Sequence, residues 1–340
     1  MTTSNRDISP PPLKCRKVLS GQPSPNLAPN LPSRPITIIA PHQLRIFTWN
    51  VNGIAPFIAP PSPSFGSPRP DLRSLRECLK RWKYPQLVCL QEVKINRSDI
   101  RTQDALHQII RAPGGSQEWG YSTHFGLPRD RFNARGFGGK VYGVCTLIRN
   151  DFVAAEEVSI RELDWDLEGR VLAIELPKQK LVIFNVYAIN GTSNPYHDPG
   201  TGLNAFYSKR MAWQTVIAGD LNIARGPEDG FPGRRMKHDH VLNRADFEDK
   251  FMKSKDGGGL GMKDSFRELH GGERKYSYRG RGCQWGVSAD RVDLILVPAG
   301  MIQIAESWGA GASLVEADIL DEEAERGPSD HVPSYVTLEL

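Results

Sequence analysis

Thr215-Val-Ile-Ala-Gly-Asp220-Leu-Asn222 decides the reading of this 340-residue chain. A β-branched and apolar run meets a glycine, and a carboxylate and a carboxamide follow two residues apart. If Thr215 to Ala218 is a buried strand, alternation sends Asp220 and Asn222 to one side of the chain as it leaves the sheet. Gly219 lets the backbone pass close to a neighbour and turn. An acid and an amide beyond the end of a buried strand stand where α/β proteins assemble their chemistry. Gly, Asp and Asn are also ordinary turn formers, so the stretch alone leaves both readings open. The other strand ends decide between them.

Working outward, an alternating strand over 42–50 runs into Asn50 and Asn52, and a strand over 86–92 ends in Glu92 with Lys94 just beyond. A strand over 181–187 ends in Tyr187 and leads to Asn190. Asp293 opens a strand over 293–297, and Asp330-His331 precedes one over 335–340. Each group has an ordinary reading by itself, as turn, surface carboxylate or cap. Counted without Lys94, ten polar groups stand at or beside successive strand ends, and together they outweigh those readings. The periodicity further predicts strands over 141–149, 153–160, 169–176 and 275–278. Helices are expected over 72–82, over 99–111 with Ser98 as N-cap, and around 247–251. Strands interspersed with a few helices imply α/β layers around two sheets.

Composition narrows the class. The five cysteines are odd in number and contain no close pair, which argues against a disulfide framework or a zinc site and for a reducing, intracellular setting. No apolar run approaches the roughly 20 residues that span a bilayer, so no membrane association is expected. Residues 1–40 hold eight prolines and few large apolar groups and read as a disordered Pro/Ser-rich tail, with Lys14-Cys-Arg-Lys17 as the one cue to the nucleus. Residues 41–340 read as one catalytic domain, expected to be monomeric. Beyond position 40 the chain carries 38 basic and 38 acidic side chains, so any polyanion must be held by local patches. Two segments offer them, Arg234–Arg244 and Arg267–Arg281, the second mixing bases with tyrosines.

Hard oxygen donors with one histidine and no cysteine suit Mg²⁺ or Mn²⁺. With Tyr, Asn, Asp and His donors they describe a site for a pentacoordinate phosphate attacked by water. Trp-Asn50-Val-Asn52-Gly-Ile, Leu-Gln-Glu92-Val-Lys94, Asn-Val-Tyr187-Ala-Ile-Asn190-Gly, Gly-Asp220-Leu-Asn222, Asp-Arg-Val-Asp293 and Ser329-Asp330-His331 occur in the order typical of the endonuclease/exonuclease/phosphatase superfamily. Within it, residues 44–340 resemble the exonuclease III/apurinic-endonuclease branch.

That resemblance implies a DNase I-like four-layer α/β sandwich, two packed mixed β-sheets flanked by helices. It implies a Mg²⁺-dependent (or Mn²⁺-dependent) nuclease of DNA repair acting on duplex DNA, abasic or nicked. By the same resemblance Glu92 is the principal metal ligand, helped by Asn50, Asn52 and Asp330. Asp220 and Asn222 hold or activate the attacking water, or Asp220 protonates the leaving oxygen. His331, oriented by Asp293, contacts the phosphate or acts as base, and Tyr187 and Asn190 stabilise the transition state. Lys94, Asn190, Tyr278 and Arg279 are read as substrate contacts.

Departures from the branch are Ala55, where repair endonucleases usually carry Arg, and Asp290, where they carry an apolar or aromatic wall of the abasic-sugar pocket. Tyr278 is a candidate for the other wall. A phosphatase or phosphodiesterase of the same superfamily on a small or lipid phosphoester therefore stays open. So does an inactive homologue compromised in folding: strand 181–187 and the Thr215 strand should be parallel neighbours, which require a crossover, yet 192–214 leave twelve residues of helix and no loop before the strand. An incomplete helix over a poorly covered core is expected there.

Overall fold

The computed structural model describes residues 27–29, 31–59, 74–129, 142–188, 214–280, 284–302 and 312–340. Strands are β1 (Gln43–Asn50), β2 (Leu87–Gln91), β3 (Tyr121–Gly126), β4 (Val144–Arg149), β5 (Ser159–Glu162), β6 (Val171–Leu176), β7 (Leu181–Tyr187), β8 (Gln214–Asp220), β9 (Gly230–Phe231), β10 (Met262–Asp264), β11 (Ala289–Asp290), β12 (Asp293–Pro298), β13 (Ser313–Ile319) and β14 (Ser334–Glu339). Helices are α1 (Ala55–Ile58), α2 (Leu75–Arg81), α3 (Ile100–Ile110), α4 (Asn150–Glu156), α5 (His238–Phe247), α6 (Ser265–His270) and α7 (Glu323–Arg326).

Two six-stranded mixed sheets form, ordered β13-β14-β1-β2-β4-β3 and β10-β12-β8-β7-β6-β5. Alternation along each strand builds the layers. Leu44 and Ile46 of β1 meet Ile183, Val216, Ala218 and Ile295 between the sheets. Phe47 and Trp49 of the same strand face outward into Leu75, Leu79 and Trp82 of the α2 region and Leu106 of α3. On the far side Ile217, Leu294 and Leu296 pack under Phe247 of α5. Helix, sheet, sheet, helix: the four-layer α/β sandwich is the observed fold.

β7 and β8 are parallel neighbours, Leu181 opposite Gln214 through Tyr187 opposite Asp220. The connection between them, 189–213, lies outside the described residues, and so does the helix expected there; the outer side chains of β7, Val182, Phe184 and Val186, are half-buried. The close passage at Gly219 is real. A Cβ there would stand 1.8 Å from the Val186 carbonyl oxygen. Gly219→Ala is therefore expected to wedge β7 from β8 and cost about 2–3 kcal/mol, measured by urea unfolding; a variant as stable as the parent would refute the contact.

Several local expectations are corrected. The N-cap of α3 is Asp99, whose carboxylate accepts from the Thr102 amide at 3.1 Å, while Ser98 bonds Asn96 instead. Half of the strand expected over 153–160 is α4, and Glu157, at φ 54°, turns the chain out of that helix into β5. Residues 275–278 make no strand: Tyr278 forms single bridges to Asp290 and His331, because the segment lies in the gap between the two strand systems. Some described residues of the stretch read as tail make contacts with the domain. Arg34 pairs with Asp318 and Glu273, the Thr37 carbonyl accepts from Arg45 at 2.5 Å, and Ala28 is buried against Tyr276 and Ala289.

Candidate active site

The inner faces of four strands change from apolar to polar at the same end of the sandwich. Leu44, Ile46 and Thr48 continue into Asn50; Val216 and Ala218 into Asp220; Val297 and Ile295 into Asp293; Ile183 and Asn185 into Tyr187. Asp220 sits opposite Tyr187 on one side and opposite Asp293 on the other. The site is thus the polar rim of the inter-sheet core. Beneath it, Gln91 donates to Asn185 Oδ1 at 2.8 Å and to Thr48 at 3.0 Å, and Asn185 donates to Thr146 at 3.1 Å. This fully buried amide pair ties the two sheets together under the rim, where each polar atom must find a partner.

Glu92 follows β2 and reaches the rim only because its backbone is left-handed. Asn52 (φ 50°), Glu92 (51°), Lys94 (54°) and Asn222 (54°) all adopt that conformation, which costs a non-glycine residue about 1 kcal/mol or more and persists where surrounding bonds enforce it. Here they do. Asn52 N donates to Asn50 Oδ1 and Asn222 N to Asp220 Oδ1, each at 2.9 Å. Ser329 clips the loop between β13 and β14 to β1, donating to the Asn50 carbonyl at 2.6 Å and accepting from His331 N at 3.0 Å. Ser277 accepts from the amides of Val292 and Asp293 at 3.0 Å each, and the Trp49 indole donates to the His331 carbonyl at 3.0 Å.

The groups form two halves joined by Asn50, whose amide donates to Glu92 Oε1 at 3.0 Å and to Asp220 Oδ2 at 2.9 Å. In one half, Glu92 also accepts from the Tyr187 hydroxyl at 2.7 Å and pairs with Lys94 at 3.1 Å; Lys94 bonds Asn52, and Asn52 donates to Asp330 at 2.9 Å. Burial opposes ionisation of Glu92, yet Lys94, Asn50 and Tyr187 together hold its carboxyl below the usual range. In the other half, His331 Nδ1 meets Asp293 Oδ2 at 2.7 Å. Burial works against the imidazolium, but Asp293, with Asp220 and Asp330, raises it to about 10. Asp220 is pushed up to about 7 by burial and then by Asp293, against the pull of His331. The Tyr278 ring lies 4.9 Å from that of His331.

A hard divalent cation fits the Glu92 half. Its donors are carboxylate and amide oxygens, and a cationic group, the Lys94 ammonium, already stands between Glu92 and Asn52. Asp220, Asp293 and His331 also bring ligand-type atoms within 4.8 Å of one another. Most of their lone pairs are committed, however: His331 Nδ1 to Asp293 Oδ2, and Asp220 to three N–H donors from Asn50 and Asn222, while Asp293 Oδ1 alone among them is buried without a partner. Proton chemistry suits that half better than metal ligation.

The rim brings together Asn50, Asn52, Glu92, Lys94, Tyr187, Asp220, Asn222, Asp293, Asp330 and His331, with Tyr278 at its side. Asn190 lies outside the described residues. Arg279 does not join: its guanidinium is buried against Asp321 in two 2.8 Å bonds, so the substrate contact expected of it is corrected to a structural ion pair. Sequence reading passed over Arg170, whose guanidinium stacks 5.1 Å over the Tyr187 ring, and Ser277, Ser329 and Gln91. Arg170 stands immediately before β6, and reading the residues ahead of strands as well as those beyond their ends would have found it.

The fold has counterparts among solved structures. The solved structures of the AP endonuclease LMAP from Leishmania major (TM-score 0.60, 18% identity, covering 91% of this chain and 93% of that one) and of an AP endonuclease from Archaeoglobus fulgidus (0.54, 19%, 87% and 100%) have a similar fold. So has the 3′ phosphatase NExo from Neisseria, solved with a product DNA hairpin (0.53, 21%, 86% and 98%). No curated protein matches the chain in sequence. The profile of the Endonuclease/Exonuclease/phosphatase family matches residues 47–331, a span that runs from β1 through His331, and the chain belongs to that family of phosphoester hydrolases.

Proposed function

We propose that the chain is a Mg²⁺- or Mn²⁺-dependent phosphodiesterase acting on duplex DNA, of the apurinic-endonuclease and exonuclease III type and serving DNA repair. The observation that carries this reading is the joining, through Asn50, of an all-oxygen cation half to a buried Asp220–Asp293–His331 half. Structures of similar fold described as AP endonucleases, a 3′ phosphatase and a 3′–5′ exonuclease support DNA as the substrate class.

Glu92, Asn50, Asn52 and Asp330 would hold the cation, which supplies positive charge against the phosphate oxygens. The two proton-active groups divide the remaining work by their pKa values. His331, at about 10, stays an imidazolium at neutral pH; it is a charge and hydrogen-bond donor to the phosphate and not the base. Asp220, at about 7, is matched to taking a proton from water at working pH. Water oxygen bonds to phosphorus as its proton passes to the Asp220 carboxylate; the phosphorus–ester bond breaks with its electron pair staying on the leaving oxygen, which takes up a proton from solvent. Tyr187, held by Glu92, places its ring and hydroxyl at the edge of the same rim.

Purified protein is expected to cut abasic or 3′-blocked nicked duplexes with Mg²⁺, to lose the activity completely in EDTA, and to regain it with Mg²⁺ or Mn²⁺. Turnover of a soluble phosphodiester that duplex DNA neither competes with nor replaces would sink the DNA reading and favour a small or lipid phosphoester.

A further inference from the structure

Beside the reaction centre lies a buried cation that no carboxylate answers. Arg244, on α5, is 8% exposed. Its guanidinium donates to the Arg235 carbonyl at 2.9 Å and approaches the Met236 sulfur at 3.8 Å, and among the described residues it pairs with no acidic side chain. Burial and the neighbouring Arg234 pull its pKa below the ordinary guanidinium range, the direction expected of a buried charge without a counter-ion. A guanidinium does not give up its proton in a protein, so the charge stays and attracts an anion. Arg235 and Lys237 add to the positive field; burial and that field lower the pKa of His240 and keep its ring neutral, while Asp290 opposes them. Asp290 is already taken by Arg235 at 2.8 Å, and the Arg235 guanidinium lies 5.8 Å over the Tyr278 ring with Nε buried and unbonded.

Arg235, Arg244, His240, Asp290 and Val292 line a recess whose remaining wall includes Asn222 of the rim. The space inside is about 10 Å³, room for one water-sized group. A sugar or a base does not fit; a single phosphate oxygen does. We propose that this recess is a phosphate subsite: it takes one non-bridging oxygen of a substrate phosphate flanking the scissile one, on Arg244, with Arg235 at the mouth. The proposal rests on a nucleic-acid strand being the substrate, since only a polyphosphodiester presents a second phosphate at fixed distance.

The test combines a variant with substrates neutralised one phosphate at a time by methylphosphonate. In the parent, one flanking position is expected to raise KM about tenfold with kcat little changed, as loss of a charge-assisted hydrogen bond does. Arg244→Met should show that KM already, with no further rise at that position and full sensitivity at all others; Arg244→Lys should recover part of the loss. Additive effects at every position would overturn the subsite. Should Arg244→Met fail to fold, the doubly neutral Arg235→Gln/Asp290→Asn, which leaves no carboxylate unpaired, carries the same cycle. If the parent cuts no duplex, the proposed function falls, but the subsite is still read. Inorganic phosphate then raises the parent's Tm in EDTA and raises that of Arg244→Met less; equal shifts would overturn it.

Discussion

Asp220→Asn is expected to lower kcat by about 10²- to 10⁴-fold, the range of a lost general base, while the folded protein is retained. The carboxylate is 1% exposed and takes three N–H donors, from the Asn50 amide, the Asn222 amide and the Asn222 backbone. An amide cannot accept at both positions; one of its ends turns an N–H toward another N–H, at a cost of about 1 kcal/mol. Against that stands the burial penalty the substitution removes. The folded-state pKa of Asp220 is about 7, above its ordinary 3.8, so its ionisation opposes folding. That penalty is absent below about pH 4, grows between the two values and is full above about pH 7, at about 1.4 kcal/mol per unit of difference. The Tm of Asp220→Asn relative to the parent, in EDTA, should therefore climb as the pH rises from 4 to 8. A variant that keeps its activity removes Asp220 from the chemistry. One whose Tm falls further with rising pH shows instead that the carboxylate is stabilised where it stands.

The site was legible because its parts obey alternation. Asp220 and Asp293 continue inner-face series that are apolar up to the rim, and Asn50 and Tyr187 continue series whose last member, Thr48 or Asn185, is already polar, so period two and a change of polarity suffice to find them. What alternation cannot show is a partner distant in sequence. Arg279 looked like a phosphate contact because it stands among Lys275, Tyr276 and Tyr278; the carboxylate that claims it, Asp321, is 42 residues away. The edge strand β13 escaped notice for a related reason. Its Glu316 and Asp318 break the apolar pattern, and they are tolerated because Arg45 and Lys275 reach them at 2.8 Å each. Nor does anything in Leu-Gln-Glu92-Val-Lys94 announce two left-handed residues. That backbone is imposed by bonds such as Gly53 N to the Glu92 carbonyl at 2.8 Å and Val93 N to the Gly143 carbonyl at 3.1 Å, which only the assembled fold supplies.

Arg291 illustrates the same blindness with a larger consequence. In sequence it is the spacer of Asp290-Arg-Val-Asp293; in the fold it is 1% exposed and grips two carboxylates at once, Asp229 at 2.7 and 3.1 Å and Asp264 at 3.1 and 2.7 Å. Arg225 also reaches Asp264, at 3.1 Å, and Arg267 reaches Asp229. Arg291→Met keeps the volume but leaves two buried carboxylates short of a cation, and should destabilise the protein by about 3–5 kcal/mol at pH 7. Burial alone would raise both carboxyls, yet the arginines, Arg291 foremost, hold Asp229 and Asp264 below the usual carboxylate range. Their contribution is therefore full above about pH 4 and is lost as the pH falls toward the depressed folded values. In Arg291→Met the carboxyls protonate more readily, so the stability gap to the parent should narrow on acidification, measured by urea unfolding at pH 7 and again near pH 4. Replacing the carboxylates too, as Asp229→Asn and Asp264→Asn on the Met background, should recover part of the loss by removing the unpaired charge. Because Val292 and Asp293 follow directly and enter β12 on the bonds to Ser277, the folded fraction of Arg291→Met should also cleave more slowly. A cost below about 1 kcal/mol at pH 7 would mean that Arg225 and Arg267 suffice, and that Asp293 is placed by the sheet alone.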